Sequence, residues 1–279
     1  MILKISFVRL MAILTLLMSG PLIADDLSTF DGMSGQLSIA GGTAHIPVMK
    51  RAARKIMGHN SNIRITIAGG GSGVGVQQVA KELVDIGNTG RALKNKEMSL
   101  GLKSYPFAID GVAVILHPEN PVDDLSQQQI IDIYQGKITN WRELGGQDRQ
   151  IHLFSRDEAS GTRSVFTKKL LNGAQLAASA NIVPSNGAMK TAVSQDFGAI
   201  GYSSVGYIDE MVKAPAYNHI LPSQEACASG EYPVVRRLYM NTKGTPNSLT
   251  QAFIDYIYSK QGAEHIQASG YIALQGAVH

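Results

Sequence analysis

Cysteine is all but missing from this chain: its 279 residues hold one, Cys227, so no disulfide can form within it and a disulfide-stapled scaffold is excluded. Concentrated charge is missing too. Charged residues make up 17%, and 25 Lys and Arg against 22 Asp and Glu give a formal charge of +3 with no basic block, which argues against a nucleic-acid partner. Neither Gly-x-x-x-x-Gly-Lys-Ser/Thr nor His-Glu-x-x-His occurs, and Gly-x-Ser-x-Gly fails at Ser72 because Val74 stands where the last glycine belongs. The histidines, His45, His59, His117, His152, His219, His265 and His279, lack ligand spacing, so no metal, cofactor or catalytic residue is expected. What remains is 44% hydrophobic with 29 glycines, a globular composition long enough for one large domain or two moderate ones.

The first 24 residues run from Lys4 and Arg9 through the apolar stretch Leu10 to Leu17 to Pro21-Leu22-Ile23-Ala24. Basic, apolar and small residues in that order predict a secretory signal peptide over 1–24, cleaved after Ala24. Ser19-Gly20-Pro21 interrupts the run below the roughly 20 residues that span a bilayer. Because Cys227 lies far from the cleavage site, the expected product is a soluble periplasmic protein and not a lipoprotein. Nothing strongly cationic surrounds Cys227, so it reads as a small buried hydrophobe.

Short strands and amphipathic helices alternate, which predicts an α/β fold built on mainly parallel sheet. Strands are expected at Gln36–Ala40, Ile63–Ala68, Val84–Asn88, Asp110–His117, Ile151–Ser155, Gly198–Tyr202 and Arg237–Thr242. Helices are expected at Ile46–Met57, with Pro47 in the first turn, at Val74–Leu83, from Ser126, at Ser160–Leu171, from Asn186, and at Asn247–Ser259 and Gln261–Ser269. Ala214 to Tyr232 reads as surface connection. The strands at Asp110 and Arg237 are natural crossing points, so the expected division is 25–114 with 237–279 as a discontinuous first lobe and 115–236 as the second.

Between strand and helix lie Gly41-Gly42-Thr43-Ala44, Gly69 to Gly75, and Ser160-Gly161-Thr162. Such turns aim backbone N–H groups and hydroxyls at one point from the positive end of a helix, which is chemistry for an oxyanion. Arg156, four residues before Ser160, can offer a bidentate fork to that anion or pair with Asp157, Glu158 or a carboxylate elsewhere.

These turns, in this order, resemble the PstS-like phosphate-binding proteins of bacterial ABC importers, type II periplasmic solute-binding proteins. The resemblance rests on Ala40-Gly41-Gly42-Thr43-Ala44, on Ile67 to Gly75, on Asp85 to Leu93, on Ile109-Asp110-Gly111-Val112-Ala113 and on Ile138-Thr139-Asn140-Trp141. It continues through Ser155 to Arg163, Asn186 to Met189, Gly198 to Tyr202 and Tyr232 to Gly244, and so covers nearly all of the chain after residue 24. Arg-x-x-x-Ser-Gly-Thr at 156–162 is its most specific piece. It implies two α/β lobes, each a mostly parallel sheet flanked by helices, joined by two crossing strands as a hinge, with an anion held between them. By position, Thr43, Ala44, Ser72, Arg156, Ser160, Gly161 and Thr162 are the implied ligand contacts.

Two departures stand out. Family members commonly have Ser at the position of Gly42, and many have Asp at that of Gly90, where a carboxylate could accept the proton that phosphate carries and sulfate lacks. Asp110, at the start of the first crossing strand, is either the substitute or an Asp in the turn before that strand, and Arg91 is either a second anion contact or a solvated charge. The implied function is capture of inorganic phosphate by a monomer that delivers it to the permease and ATPase subunits of an ABC transporter, without bond chemistry. The alternatives are another oxyanion such as sulfate, molybdate or tungstate, and a secreted phosphohydrolase with Ser72 or Ser160 as nucleophile.

Overall fold

The computed structural model describes residues 26–274, so the predicted signal peptide at 1–24 lies outside the described residues. The first third of the chain runs β1 (Gly35–Gly41), α1 (Ile46–His59), β2 (Ile63–Gly70), α2 (Gly71–Ala80), β3 (Ile86–Thr89), α3 (Asn95–Met98) and β4 (Leu102–Leu116). The middle runs β5 (Asp124–Leu125), α4 (Gln127–Tyr134), β6 (His152–Arg156), α5 (Gly161–Val165), β7 (Asn181–Val183), α6 (Asn186–Ser194), β8 (Ala199–Ser204), β9 (Ala216–Tyr217) and α7 (Gln224–Ser229). Then come β10 (Val235–Lys243), α8 (Ser248–Tyr258), α9 (Lys260–Gln267) and β11 (Ile272–Ala273).

The main sheet is ordered β2-β1-β3-β10-β4-β8-β6-β7, with β11 beside β4. At one end β2, β1 and β3 are parallel, and at the other β8, β6 and β7 are parallel. Two antiparallel strands join them. Residues 102–111 of β4 pair with β10, whereas Val112 to Leu116 pair with β8. One continuous strand thus leaves the first sheet and enters the second, the two-lobed arrangement with crossing strands that the sequence predicts.

Packing follows the same division. One apolar cluster joins Phe30, Leu37, Ile39, Ile56, Ile86 and Phe107 to Leu238, Phe253 and Ile257. The other is built around Val112, Leu116, Ile133, Trp141, Phe166, Tyr202 and Tyr232. In α1, Val48, Met49, Ala52, Ala53 and Ile56 are buried at helical spacing. Each large apolar side chain so buried contributes about 1.5–3 kcal/mol, and a charge at Ala52 would break this face.

Four elements differ from expectation for identifiable reasons. The second helix begins at Gly71 instead of Val74, because Gly70 (φ 110°) and Gly71 (φ 86°) turn the chain in the left-handed region that glycine favours. The crossing strand starts at Leu102, its first half hidden in sequence by exposed Lys103 and Ser104 and by Pro106. After α5 the chain widens into a π-type turn over Phe166–Leu170, so Ser160–Leu171 is not one regular helix. The expected connection at 214–232 contains β9 and α7, whose first turn is capped by Ser223.

Candidate anion site

Three backbones meet where the first turn begins. Gly42 N–H donates to the Asn88 carbonyl at 2.8 Å, and a Cβ on Gly75 would lie 2.6 Å from the same oxygen. This close approach carries the chain from β1 into α1 with Thr43 and Ala44 turned towards α6 and the second turn. Thr43 Oγ1 accepts from the Asn186 backbone N–H at 3.3 Å and from Asn186 Nδ2 at 3.2 Å, while Tyr207 Oη donates to the Thr43 carbonyl at 2.7 Å. Tyr271 Oη donates to the Ala44 carbonyl at 2.8 Å. Ser72, in the first turn of α2, accepts from Gly90 N–H at 3.0 Å, which leaves its hydroxyl proton for another acceptor.

From the other side comes the segment after β6. Ser160 Oγ accepts from Arg163 N–H at 3.1 Å and caps α5, and Gly73 N–H donates to the Ala159 carbonyl at 2.9 Å. A Cβ on Gly71 would lie 2.8 Å from that carbonyl, so glycine is what lets the two turns touch.

Together these residues wall a small, tightly closed cavity lined by Thr43, Ala44, Ser72, Arg156, Ser160, Gly161 and Thr162 among others. Seven of the eight expected site residues therefore converge, from three separate segments of the chain.

Arg156 is 1% exposed. Its Nε donates to the Val183 carbonyl at 3.0 Å and its Nη2 to the Pro184 carbonyl at 2.9 Å, while the buried Nη1 has no hydrogen-bond partner among the described residues. Among the described residues no carboxylate is ion-paired with it. Glu158 sits 4.0 Å from Arg163 instead, and Asp157 Oδ1 accepts from Ala159 N–H. Burial holds the guanidinium below its ordinary pKa, yet arginine keeps its proton in proteins. A buried cation with only neutral partners and one spare donor is the electrostatic signature of a site that expects an anion.

Asp110 departs from its expected place. It is fully buried and does not line the cavity. Its Oδ1 accepts from Ser204 Oγ at 2.7 Å, and its Oδ2 accepts from Arg236 Nε at 2.8 Å with Nη2 at 2.7 Å. With both oxygens engaged, the carboxylate is the counter-ion of Arg236 and makes no contact in the cavity. Arg91 is neither an anion contact nor a solvated charge, because Glu97 holds it at 2.7 and 2.9 Å through both ends of its fork.

Arg236 and His45 were not anticipated from the sequence. Arg236 lines the cavity, donates from Nη1 to Thr162 Oγ1 at 3.0 Å, and fills the volume over Gly90. A lone Asp in the apolar run Phe107 to Leu116 was the available signal, since a buried carboxylate on a central strand requires a cation opposite. His45 is fully buried, its ring 5.5 Å from that of Phe107, and it too lines the cavity. Burial foremost, and then the nearby Arg236 charge, push its pKa down to about 3.

The PBP superfamily domain matches residues 30–261. The phosphate-binding protein PstS of Bacillus subtilis is 36% identical over 243 residues, covering 86% of this chain and 81% of its own. PstS of Borreliella burgdorferi is 29% identical over 252 residues, covering 86% and 90%. Among solved structures, a phosphate ABC transporter substrate-binding protein with bound phosphate from Clostridium perfringens superposes with a TM-score of 0.82 at 34% identity, covering 86% of this chain and all of that one. The chain belongs to the PBP superfamily and, within it, to the family of PstS phosphate-binding proteins.

Proposed function

We propose that this protein captures inorganic phosphate in the cavity between its two lobes, 26–111 with 235–274 and 112–234, a division two or three residues from the one expected from sequence because β4 changes partners at Val112 and β10 begins at Val235, and delivers it to the permease and ATPase subunits of an ABC transporter. The observation that carries the reading is Arg156, buried at the cavity with neither a counter-ion nor a partner for Nη1 among the described residues. An anion seated there neutralises the guanidinium and takes the hydroxyl protons of Ser72 and Thr43 and the first N–H groups of α5, which have no acceptor within their own helix. The relatives named PstS and the phosphate-bound neighbour support phosphate as the anion. Because the wall comes from both lobes, ligand contacts are complete only when the lobes are together, which supplies free energy for closure.

The chain performs no bond chemistry in this reading. Ser72 Oγ and Ser160 Oγ accept from backbone N–H groups, and among the described residues neither is hydrogen-bonded to a histidine or carboxylate that could take its proton. The sequence of residues 1–24 supports export to the periplasm, where the protein acts as a monomer. Among the described residues no helix is long and apolar enough to cross a membrane.

Calorimetric titration of protein stripped by unfolding and refolding, with phosphate, sulfate and tungstate in separate runs, tests the proposal. Tight binding preferring phosphate is expected. Preference for sulfate or tungstate would assign the chain to another importer, and no binding of any of them would remove the anion site altogether.

A further inference from the structure

The hydroxyl, guanidinium and helix-end groups around the cavity are hydrogen-bond donors or already engaged, with one exception. His45 Nδ1 is buried and, among the described residues, has no hydrogen-bond partner. The other ring nitrogen, Nε2, lies 3.2 Å from the Tyr239 backbone carbonyl. A carbonyl only accepts, so Nε2 carries the proton; the opposite tautomer would set two lone pairs against each other. Burial and the nearby Arg236 keep the ring neutral, outweighing the carbonyls of Tyr239, Gly42 and Thr89 that favour the charged form. Nδ1 is therefore a bare lone pair at the wall of a cavity built for an anion.

The position is prepared by Gly42, which lines the same cavity. A Cβ there would lie 2.7 Å from His45 Nδ1 and 2.8 Å from Cε1, so even alanine at 42 would collide with this edge of the ring. Phe107 packs against the ring and Tyr239 tethers its far nitrogen, so Nδ1 cannot readily swing away.

We infer that His45 is a specificity-determining residue that accepts a hydrogen bond from the acidic proton of the bound oxyanion through Nδ1, and so selects protonated phosphate over sulfate. The inference rests on the anion-binding reading of the site proposed above. Its physical basis is an asymmetry between ligands. A phosphate P–OH satisfies the buried lone pair, whereas a sulfate oxygen brings only lone pairs to it and leaves both unsatisfied and repelling. Because the acceptor is uncharged, it repels the rest of the anion less than a carboxylate would.

His45→Gln tests the assignment. Glutamine can still donate to the Tyr239 carbonyl from Nε2 but leaves no acceptor at the place of Nδ1. Titrations of wild type and variant with phosphate and with sulfate should show the ratio of phosphate to sulfate affinity falling about tenfold or more in the variant. A folded variant that keeps the wild-type ratio, or loses affinity for both anions equally, would overturn the inference. The ring can also be followed in the wild-type chain by 15N NMR, which does not depend on the variant folding. Phosphate should move the unprotonated Nδ1 resonance in the direction of a hydrogen-bonded nitrogen, and sulfate should not. If phosphate binds with heat but leaves that resonance in place, His45 has no such role and the phosphate reading stands. If wild-type protein takes up no phosphate, that reading falls and the role of His45 falls with it.

Discussion

A Cβ on Gly90 would lie 2.7 Å from Arg236 Nη1 and 3.1 Å from its Cζ, so the guanidinium occupies the space that any larger residue at 90 would need. Arg236 cannot retreat freely, because Asp110 and Thr162 hold it. The first prediction is that Gly90→Ala displaces the guanidinium, weakens anion binding, and costs about 1–3 kcal/mol of stability as overpacking. Denaturant unfolding and phosphate titration of the variant check it. Wild-type values for both would mean that the arginine relocates without cost.

Arg156 gives a prediction of opposite sign for its two readouts. Arg156→Met should cost about 2–5 kcal/mol of anion affinity, as expected when one member of a buried charged contact is removed. Stability of the stripped protein should hold or rise, because methionine fills much of the volume without an unbalanced charge. Calorimetry and thermal unfolding on the same stripped sample separate the two. A variant that loses stability but keeps its affinity would mark Arg156 as structural.

Asp110 should behave as a counter-ion. Asp110→Asn leaves Arg236 buried and unbalanced, and the expected loss is about 3–5 kcal/mol of unfolding free energy. Neutralising both residues together, as in Asp110→Asn with Arg236→Met, should recover much of it. A double variant as unstable as the sum of the single ones would refute the pairing account.

The His45 ring sets a stability profile in acid. Folding depresses its pKa from the ordinary 6.5 to about 3, so between those values the unfolded chain binds a proton that the folded chain does not. Stability from this group is complete above 6.5 and is lost as pH falls towards about 3, at no more than about 1.4 kcal/mol per pH unit. Urea titrations across that range should show the slope in wild type and a shallower one in His45→Gln. Parallel profiles would show that the ring is solvated or already charged.

Much of the site could be read directly from the chain because its pieces are local. Each turn at the cavity is a short Gly, Ser and Thr segment after an apolar strand, and Arg156 lies in one such segment. What escaped depends on long-range register. Arg236 stands opposite Asp110 only because β4 and β10 pair antiparallel across 126 residues of chain. Starting the return strand at Arg237 instead of Val235 left its neighbour outside it. His45 was one histidine among several, and only its place between Phe107 and the Tyr239 carbonyl sets it apart. Cys227 was legible from its surroundings in sequence: it is buried, lies 2.6 Å from where a Gly111 Cβ would sit, and burial foremost pushes its thiol up to about 11.

Across the cavity, Asn186 bonds Thr43, Tyr207 bonds the Thr43 carbonyl, and Gly73 bonds the Ala159 carbonyl. These bonds join the two lobes directly, so part of the free energy that holds the lobes together does not come from the ligand. Apparent affinity is the intrinsic affinity scaled by the fraction of molecules in the binding-competent state, so these latch contacts act as a gain control on it. Asn186, which does not line the cavity, can be altered to retune capture without changing a single ligand contact.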